Sequence, residues 1–273
     1  MPRRARRSWG LGPALRIGTH NVRGLFRGRK QQQQQQQQPG MAAGDGPVGG
    51  GAAAAAAAAA PAPHDPPAPY NAWLLARAKL WAQQRLDVVC LQETYVDEDD
   101  APDATAALAD VGRELHGAGW QAYFSPSGTH GAAVLVRQDL VQAGRLRVLR
   151  WEAGSEEETE ERVGSAGRLV RVQLEWGGHK LWLLAAYLPA ANAQRQRQFI
   201  EKYLRPAAEG RDQQVWAGDW NFVEVPAADS TGVRQRDLPT TALFRSCCPR
   251  MVDTFRHKHA AARTYTYMAQ RQG

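Results

Sequence analysis

The chain has 273 residues, is 43% hydrophobic and carries a net charge of +7, which suits one large domain, or one domain with disordered inserts, and a polyanionic partner such as nucleic acid. The arginine-, alanine- and glycine-rich composition also follows from GC-rich coding sequence, so the charge alone is mild support. No apolar run reaches the roughly 18 residues of a helical membrane span, and Cys90, Cys247 and Cys248 form neither a disulfide framework nor a zinc pattern.

The basic start, Met1 to Arg7, lacks the apolar stretch of a secretory signal. Residues 1–13 read as a disordered tail on an intracellular chain, and residues 14–273 as one domain. Leu15–Thr19 alternates as a first strand and leads into His20-Asn21-Val22-Arg23-Gly24. From residue 29 to 68 the chain holds Gln31–Gln38, a Gly/Ala stretch and a Pro-rich exit. Such a segment cannot offset backbone ordering at about 1–2 kcal/mol per residue, and it reads as a disordered insert in a surface loop.

Asn71–Gln84 has near-helical spacing of Trp73, Leu74, Ala78, Leu80 and Trp81. Asp87–Gln92 is a short apolar run, as for a strand buried on both faces. Ala104–Leu115 reads as helix. Ala122–Ser125, Ala132–Val136, Leu146–Trp151, Arg168–Glu175 and Lys180–Tyr187 read as strands, with the Glu-rich Glu156–Glu161 as a solvated turn between two of them. Asn192–Leu204 is predicted as helix, Gln213–Ala217 as strand and Leu238–Cys247 as helix. Paired strands dominate the middle, so a layered α/β fold with two sheets fits better than one parallel sheet.

Three polar groups follow directly on predicted strands: His20-Asn21, Gln92-Glu93-Thr94 and Gly218-Asp219-Trp220-Asn221. Strand ends share one rim of a sheet, so residues distant in sequence can converge there. Two carboxylates and two amides make a set of hard oxygen donors suited to Mg²⁺ rather than zinc. Taken singly, each group is more often a cap or a turn than a site; the ordered series is the signal.

The chain resembles the endonuclease/exonuclease/phosphatase superfamily through Leu91-Gln92-Glu93-Thr94 and Gly218-Asp219-Trp220-Asn221. It is most similar to the endonuclease domain of non-LTR retrotransposons, through Asn21-Val22-Arg23-Gly24, the strand Gly131–Val136, the turn Tyr187-Leu188-Pro189, Val252-Asp253-Thr254-Phe255-Arg256 and Tyr265-Thr266-Tyr267. The resemblance implies a DNase I-like four-layer sandwich, two packed mixed β-sheets flanked by helices. It implies Mg²⁺-dependent, or Mn²⁺-dependent, phosphodiester hydrolysis of nucleic acid, DNA nicking above all, in a nuclear setting. Glu93 would bind the metal with Asn21 in support. Asp219 would orient or deprotonate water, Asn221 would donate to the phosphate, Tyr187 would stabilise the transition state or leaving oxygen, and Thr266 would be a weaker substrate contact. For Tyr187 a sheet-edge aromatic with its hydroxyl in water stands beside that role. Asp253 reads as structural, in an apolar strand and ion-paired with Arg256. His20 and His130 read as loop-solvated, without carboxylate partners, and His257 and His259 as exposed.

The family's late Ser-Asp-His segment would begin where this sequence reaches Gly273. The expectation is therefore a domain missing its last strand or strands and weakly active or inactive. A phosphoinositide or small-phosphoester phosphatase of the same fold, and a non-catalytic nucleic-acid-binding remnant, stand as alternatives.

Overall fold

The computed structural model describes residues 14–22, 68–117, 119–127, 129–159, 161–190, 192–210, 213–223 and 238–259. The low-complexity insert up to residue 67, Arg23-Gly24 and the Tyr265-Thr266-Tyr267 block lie outside the described residues.

Two four-stranded sheets form the centre. The first contains β1 (Ile17–Asn21), β2 (Val88–Gln92), β3 (Trp120–Ser125) and β4 (Ala132–Arg137), in the order β1-β2-β4-β3. The second contains β5 (Leu146–Ala153), β6 (Leu169–Trp176), β7 (His179–Tyr187) and β8 (Gln213–Asp219) in sequential order. Each sheet is antiparallel except for one pair, β1 with β2 and β7 with β8. Parallel neighbours need a long crossover, usually helical. Between β1 and β2 the described helix is α1 (Ala68–Gln83). Between β7 and β8 the chain runs through α2 (Ala193–Phe199), a π-helical segment Ile200–Leu204 and α3 (Arg205–Glu209). The predicted helix Asn192–Leu204 thus widens at its end and runs on to Glu209.

Alternation sorts the strand residues into three cores. Val88, Cys90, Val134 and Val136 face Val170, Val172, Leu174 and Leu183 between the sheets. The other face of the first sheet (Val89, Leu91, Leu135) is covered by Leu74, Ala78 and Trp81 of α1 and Leu108 of α4 (Ala101–His116). Leu184 and Ala186 on the outer face of the second sheet meet Phe199, Ile200, Leu204 and Ala207. Every residue of β2 is buried because both its faces are covered. The result is the expected helix–sheet–sheet–helix sandwich. Short α5 (Gln138–Gln142) follows β4, and α6 (Leu238–Cys247) packs beside Phe199 and Leu204.

One local expectation is corrected. Val252–Arg256 forms no strand: it is a loop entering α7 (Thr254–Lys258), and Asp253 is structural as a helix cap, its carboxylate accepting the Arg256 backbone N–H at 2.9 Å. That is the ordinary use of Asp at an N-terminus, where the first N–H groups lack helical partners. The Glu-rich segment is solvated as expected, exposed at Glu156, Glu157, Thr159 and Glu161 with Glu158 half-buried, but it is also tied to the helical crossover. Lys202 pairs with Glu156, the Tyr203 hydroxyl donates to the Val163 carbonyl at 3.1 Å, and Arg195 donates to the Thr159 carbonyl. His257 and His259 are exposed, as expected.

Candidate active site at the strand ends

β1, β2, β7 and β8 end on one rim, at Asn21, Gln92, Tyr187 and Asp219. In β1, Ile17 faces the second sheet, so Asn21, four residues on, turns the same way. Tyr187 and Asp219 are register partners in the parallel β7–β8 pair and share the face of Ala185 and Ala217, which lie between the sheets.

Glu93 reaches the cleft by a different route. Cys90 and Gln92 face inward, and extended alternation would turn residue 93 outward. Its φ of 56° breaks the extended run, and Tyr95 repeats the left-handed turn at 53°. Such torsions at bulky residues cost on the order of 1–3 kcal/mol and cluster at functional sites. Backbone bonds hold the turn, from Thr94 N–H to the Gly131 carbonyl and from Tyr95 N–H to the His130 carbonyl, each at 3.0 Å.

The Asn21 side chain joins the two halves. Its Nδ2 donates to Glu93 Oε1 at 2.8 Å and to Asp219 Oδ2 at 2.9 Å. The Tyr95 hydroxyl donates to the other Glu93 oxygen at 3.1 Å, and the Asn221 backbone N–H donates to Asp219 Oδ1 at 3.0 Å. Four donor contacts therefore fix two like-charged groups side by side, and both acids stay half-exposed to solvent.

Asn221 stands in a left-handed turn, φ 52°, which Asn tolerates better than most residues. Its Nδ2 donates to the Leu188 carbonyl at 2.7 Å. A side-chain amide has two N–H donors, so the expected phosphate contact rests on the second. Gln196, buried in α2, donates from one nitrogen to the carbonyls of Pro189 and Asn221 and ties the two loops together.

Tyr187 is 8% exposed on a strand paired on both sides, so the reading of it as a sheet-edge aromatic in water is overturned. Burial first, then the charge of Glu93 and the neighbouring Tyr95 and Asp219, raise its hydroxyl above the ordinary phenol range despite Arg168. The phenol stays protonated and is a hydrogen-bond donor.

The histidine expectations also change. His20 is half-buried and accepts the Trp81 indole N–H at 3.2 Å. His130 has a carboxylate partner, Glu158, at 3.3 Å, and lies 2.8 Å from Arg168 Nη2. Sequence reasoning missed Tyr95, Gln196 and this Glu158–Arg168–His130 group. Of the expected site residues, Asn21, Glu93, Tyr187, Asp219 and Asn221 come together, and Thr266 lies outside the described residues.

Among the described residues no group of three or more His, Cys, Asp and Glu side chains is placed to hold a metal. The pair of carboxylates fits a hard cation that takes one or two carboxylates and completes its shell with water and phosphate. Buried Gln92 on β2 accepts the Thr19 hydroxyl at its Oε1 at 3.0 Å, and its Nε2 has no hydrogen-bond partner among the described residues; as an amide N–H donor it is no metal ligand.

A model of the endonuclease/exonuclease/phosphatase family matches residues 18–266. No curated protein matches the sequence significantly. Among solved structures, an AP endonuclease from Archaeoglobus fulgidus aligns at 20% identity over 72% of this chain and 74% of that one, with a TM-score of 0.54. The AP endonuclease LMAP from Leishmania major aligns at 21% identity over 74% of this chain and 68% of that one, with a TM-score of 0.53. At such identities the likeness speaks for the fold.

Proposed function

The chain belongs to the endonuclease/exonuclease/phosphatase family, and from that premise we propose that it hydrolyses phosphodiester bonds in nucleic acid, DNA first, as a Mg²⁺- or Mn²⁺-dependent nuclease of retroelement type acting in the nucleus. One observation carries the reading: the Asn21 amide gathers Glu93 and Asp219, from different sheets, into one solvent-reachable cluster.

Glu93, with Asn21 beside it, is the residue to hold the ion, which when bound polarises a non-bridging phosphate oxygen and offsets developing charge. Asp219, oriented by two donors, takes the proton of the attacking water, work worth roughly 10²–10⁴ in rate. Asn221 offers its second amide N–H to a phosphate oxygen. Tyr187, kept protonated, donates to the phosphate or to the leaving oxygen as charge develops there.

The test is nicking of supercoiled plasmid in Mg²⁺, with and without EDTA, beside Asp219→Ala. EDTA-sensitive nicking that Asp219→Ala abolishes supports the proposal. Nicking that survives the substitution overturns it. Hydrolysis of soluble phosphoinositides without nicking moves the function to small phosphoesters, and DNA binding without either reaction leaves a binding module.

A further inference from the structure

The Arg168 side chain is 4% exposed, an unusual place for a guanidinium unless its donors are matched. Its Nε and Nη2 meet Glu158 Oε2 at 2.8 and 2.6 Å, and Nη2 also faces His130 Nε2 at 2.8 Å. The far oxygen of Glu158 pairs with Arg195 at 3.2 Å. The guanidinium carbon lies 5.5 Å from the Tyr187 ring centroid, and Nη1 lies 3.5 Å from the Tyr187 carbonyl. Tyr187 is also bonded through its backbone N–H to the Arg168 carbonyl at 2.9 Å. On another side of the ring stands His130, with centroids 6.0 Å apart.

The groups come from three places: the loop before β4, the Glu-rich loop before β6, and the end of β7. That Glu-rich loop is locked by close approach. Gly167 has φ +68° and a Cβ there would stand 2.2 Å from the Ser127 Cβ, while its N–H donates to Ser125 Oγ at 2.8 Å. The loop is thus fastened to the end of the first sheet while it supports a residue of the second.

We propose that Arg168, oriented by Glu158 and His130, is a positioning residue that sets the Tyr187 ring over the Glu93–Asp219 pair. The assignment rests on the reading of Tyr187 as a group that faces the substrate phosphate. A planar fork bonded on two edges has one orientation, so the ring beside it is held in one place. The arrangement also selects the His130 tautomer: to accept from Arg168, Nε2 must carry no proton. Loss of the neutral form on acidification turns the same ring atom into a donor, for which Glu158 is the neighbouring acceptor.

The experiment is a double-mutant cycle in the nicking assay with Arg168→Lys, Glu158→Gln and Tyr187→Phe. Lys keeps the charge but cannot form the two-edged contact. In the otherwise native chain Arg168→Lys is expected to lower kcat about 10- to 100-fold, as small misplacements of catalytic groups do, with KM little changed. In the Tyr187→Phe background it is expected to have almost no effect. Equal losses in both backgrounds overturn the proposal and give Arg168 a purely architectural role.

A readout independent of turnover separates this from the nuclease reading. The ¹⁹F spectrum of 3-fluorotyrosine-labelled protein, with the Tyr187 resonance assigned by Tyr187→Phe, should show that resonance shifted or broadened by Arg168→Lys. A spectrum unchanged at that resonance overturns the positioning role whether or not the protein nicks DNA. If Arg168→Lys fails to fold, Glu158→Gln, which leaves the guanidinium in place, must produce the same selective change, and its failure to do so overturns the proposal.

Discussion

Asn21, Glu93 and Tyr95 stand on the first sheet, and Tyr187, Asp219 and Asn221 on the second, yet the two groups are placed by different means. Glu93 and Tyr95 depend on two left-handed backbone torsions, held by two hydrogen bonds that the Thr94 and Tyr95 N–H groups donate to carbonyls of the loop before β4. Tyr187 and Asp219 need no unusual torsion, because parallel register sets them side by side and hydrogen bonds from Asn21 and Asn221 complete the placement. The first half should therefore be sensitive to backbone substitutions that touch no reacting group. The second should be sensitive above all to the identity of its side chains, with Gly218, where a Cβ would stand 2.1 Å from the Ala186 carbonyl oxygen, and the left-handed Asn221 as its tight backbone points.

The largest effect expected falls on the second half. Asp219→Asn keeps the shape but removes the base, and nicking should fall roughly 10²–10⁴-fold while the urea midpoint stays near that of the parent. A loss of stability that matches the loss of rate would mean that Asp219 serves the fold instead.

Next comes Gly131→Ala, which probes the first half without altering any candidate catalytic group. Gly131 has φ +78°, and a Cβ there would stand 2.0 Å from Thr94 Oγ1 and 2.8 Å from the Tyr95 backbone nitrogen. Strain of about 1–3 kcal/mol should appear in the urea midpoint together with weakened metal dependence. Gly177→Ala, at φ +57° with nothing within 4 Å, is the control, with the torsional cost alone at about 1–2 kcal/mol. Similar behaviour of both variants would dissolve the contrast between the halves.

Tyr95→Phe is milder. It removes one hydrogen bond to Glu93, worth about 1.5 kcal/mol for a half-exposed carboxylate acceptor. The Mg²⁺ concentration for half-maximal nicking should move by no more than about tenfold, with kcat at saturating ion nearly unchanged. A fall in kcat alone would place Tyr95 in the chemistry.

The smallest effect is on pH dependence. His20 and His130 both lie below the ordinary 6.5, each through burial and a neighbouring arginine, Arg77 and Arg168 respectively. The fold therefore binds fewer protons at these sites than the unfolded chain does. Their contribution to stability is complete above pH 6.5 and is lost as acidification passes through the lowered values. His130→Gln should flatten the slope of urea midpoint against pH in that window; an unaltered slope would assign the dependence elsewhere.

Much of this architecture was legible in the sequence. Strand period and apolar runs place β2, β4 and β7 almost to the residue, because strands covered on both faces leave a strong signature. Asn21, Glu93, Asp219 and Asn221 were legible because each stands at or just past the end of such a run. Tyr95 was not, since its use depends on a torsion that residue type does not announce. Glu158 was hidden for another reason: three glutamates in a row look solvated until Arg168, Arg195 and His130 are brought around one of them. Tyr187 was ambiguous because only the pairing of β8 beyond it turns its strand into an interior one.

The Asn21–Asp219 hydrogen bond spans 198 residues of chain, and that span has a consequence for biosynthesis. Chain emerging from a ribosome can build β1 and β2 early, but Glu93 meets its acidic counterpart only after β8 has been made and has docked beside β7. Contacts of such high sequence separation slow folding, because loop-closure entropy is paid before they form. Any product ending before residue 219 lacks Asp219 and cannot close the Glu93–Asn21–Asp219 cluster, whatever part of the sandwich it has assembled.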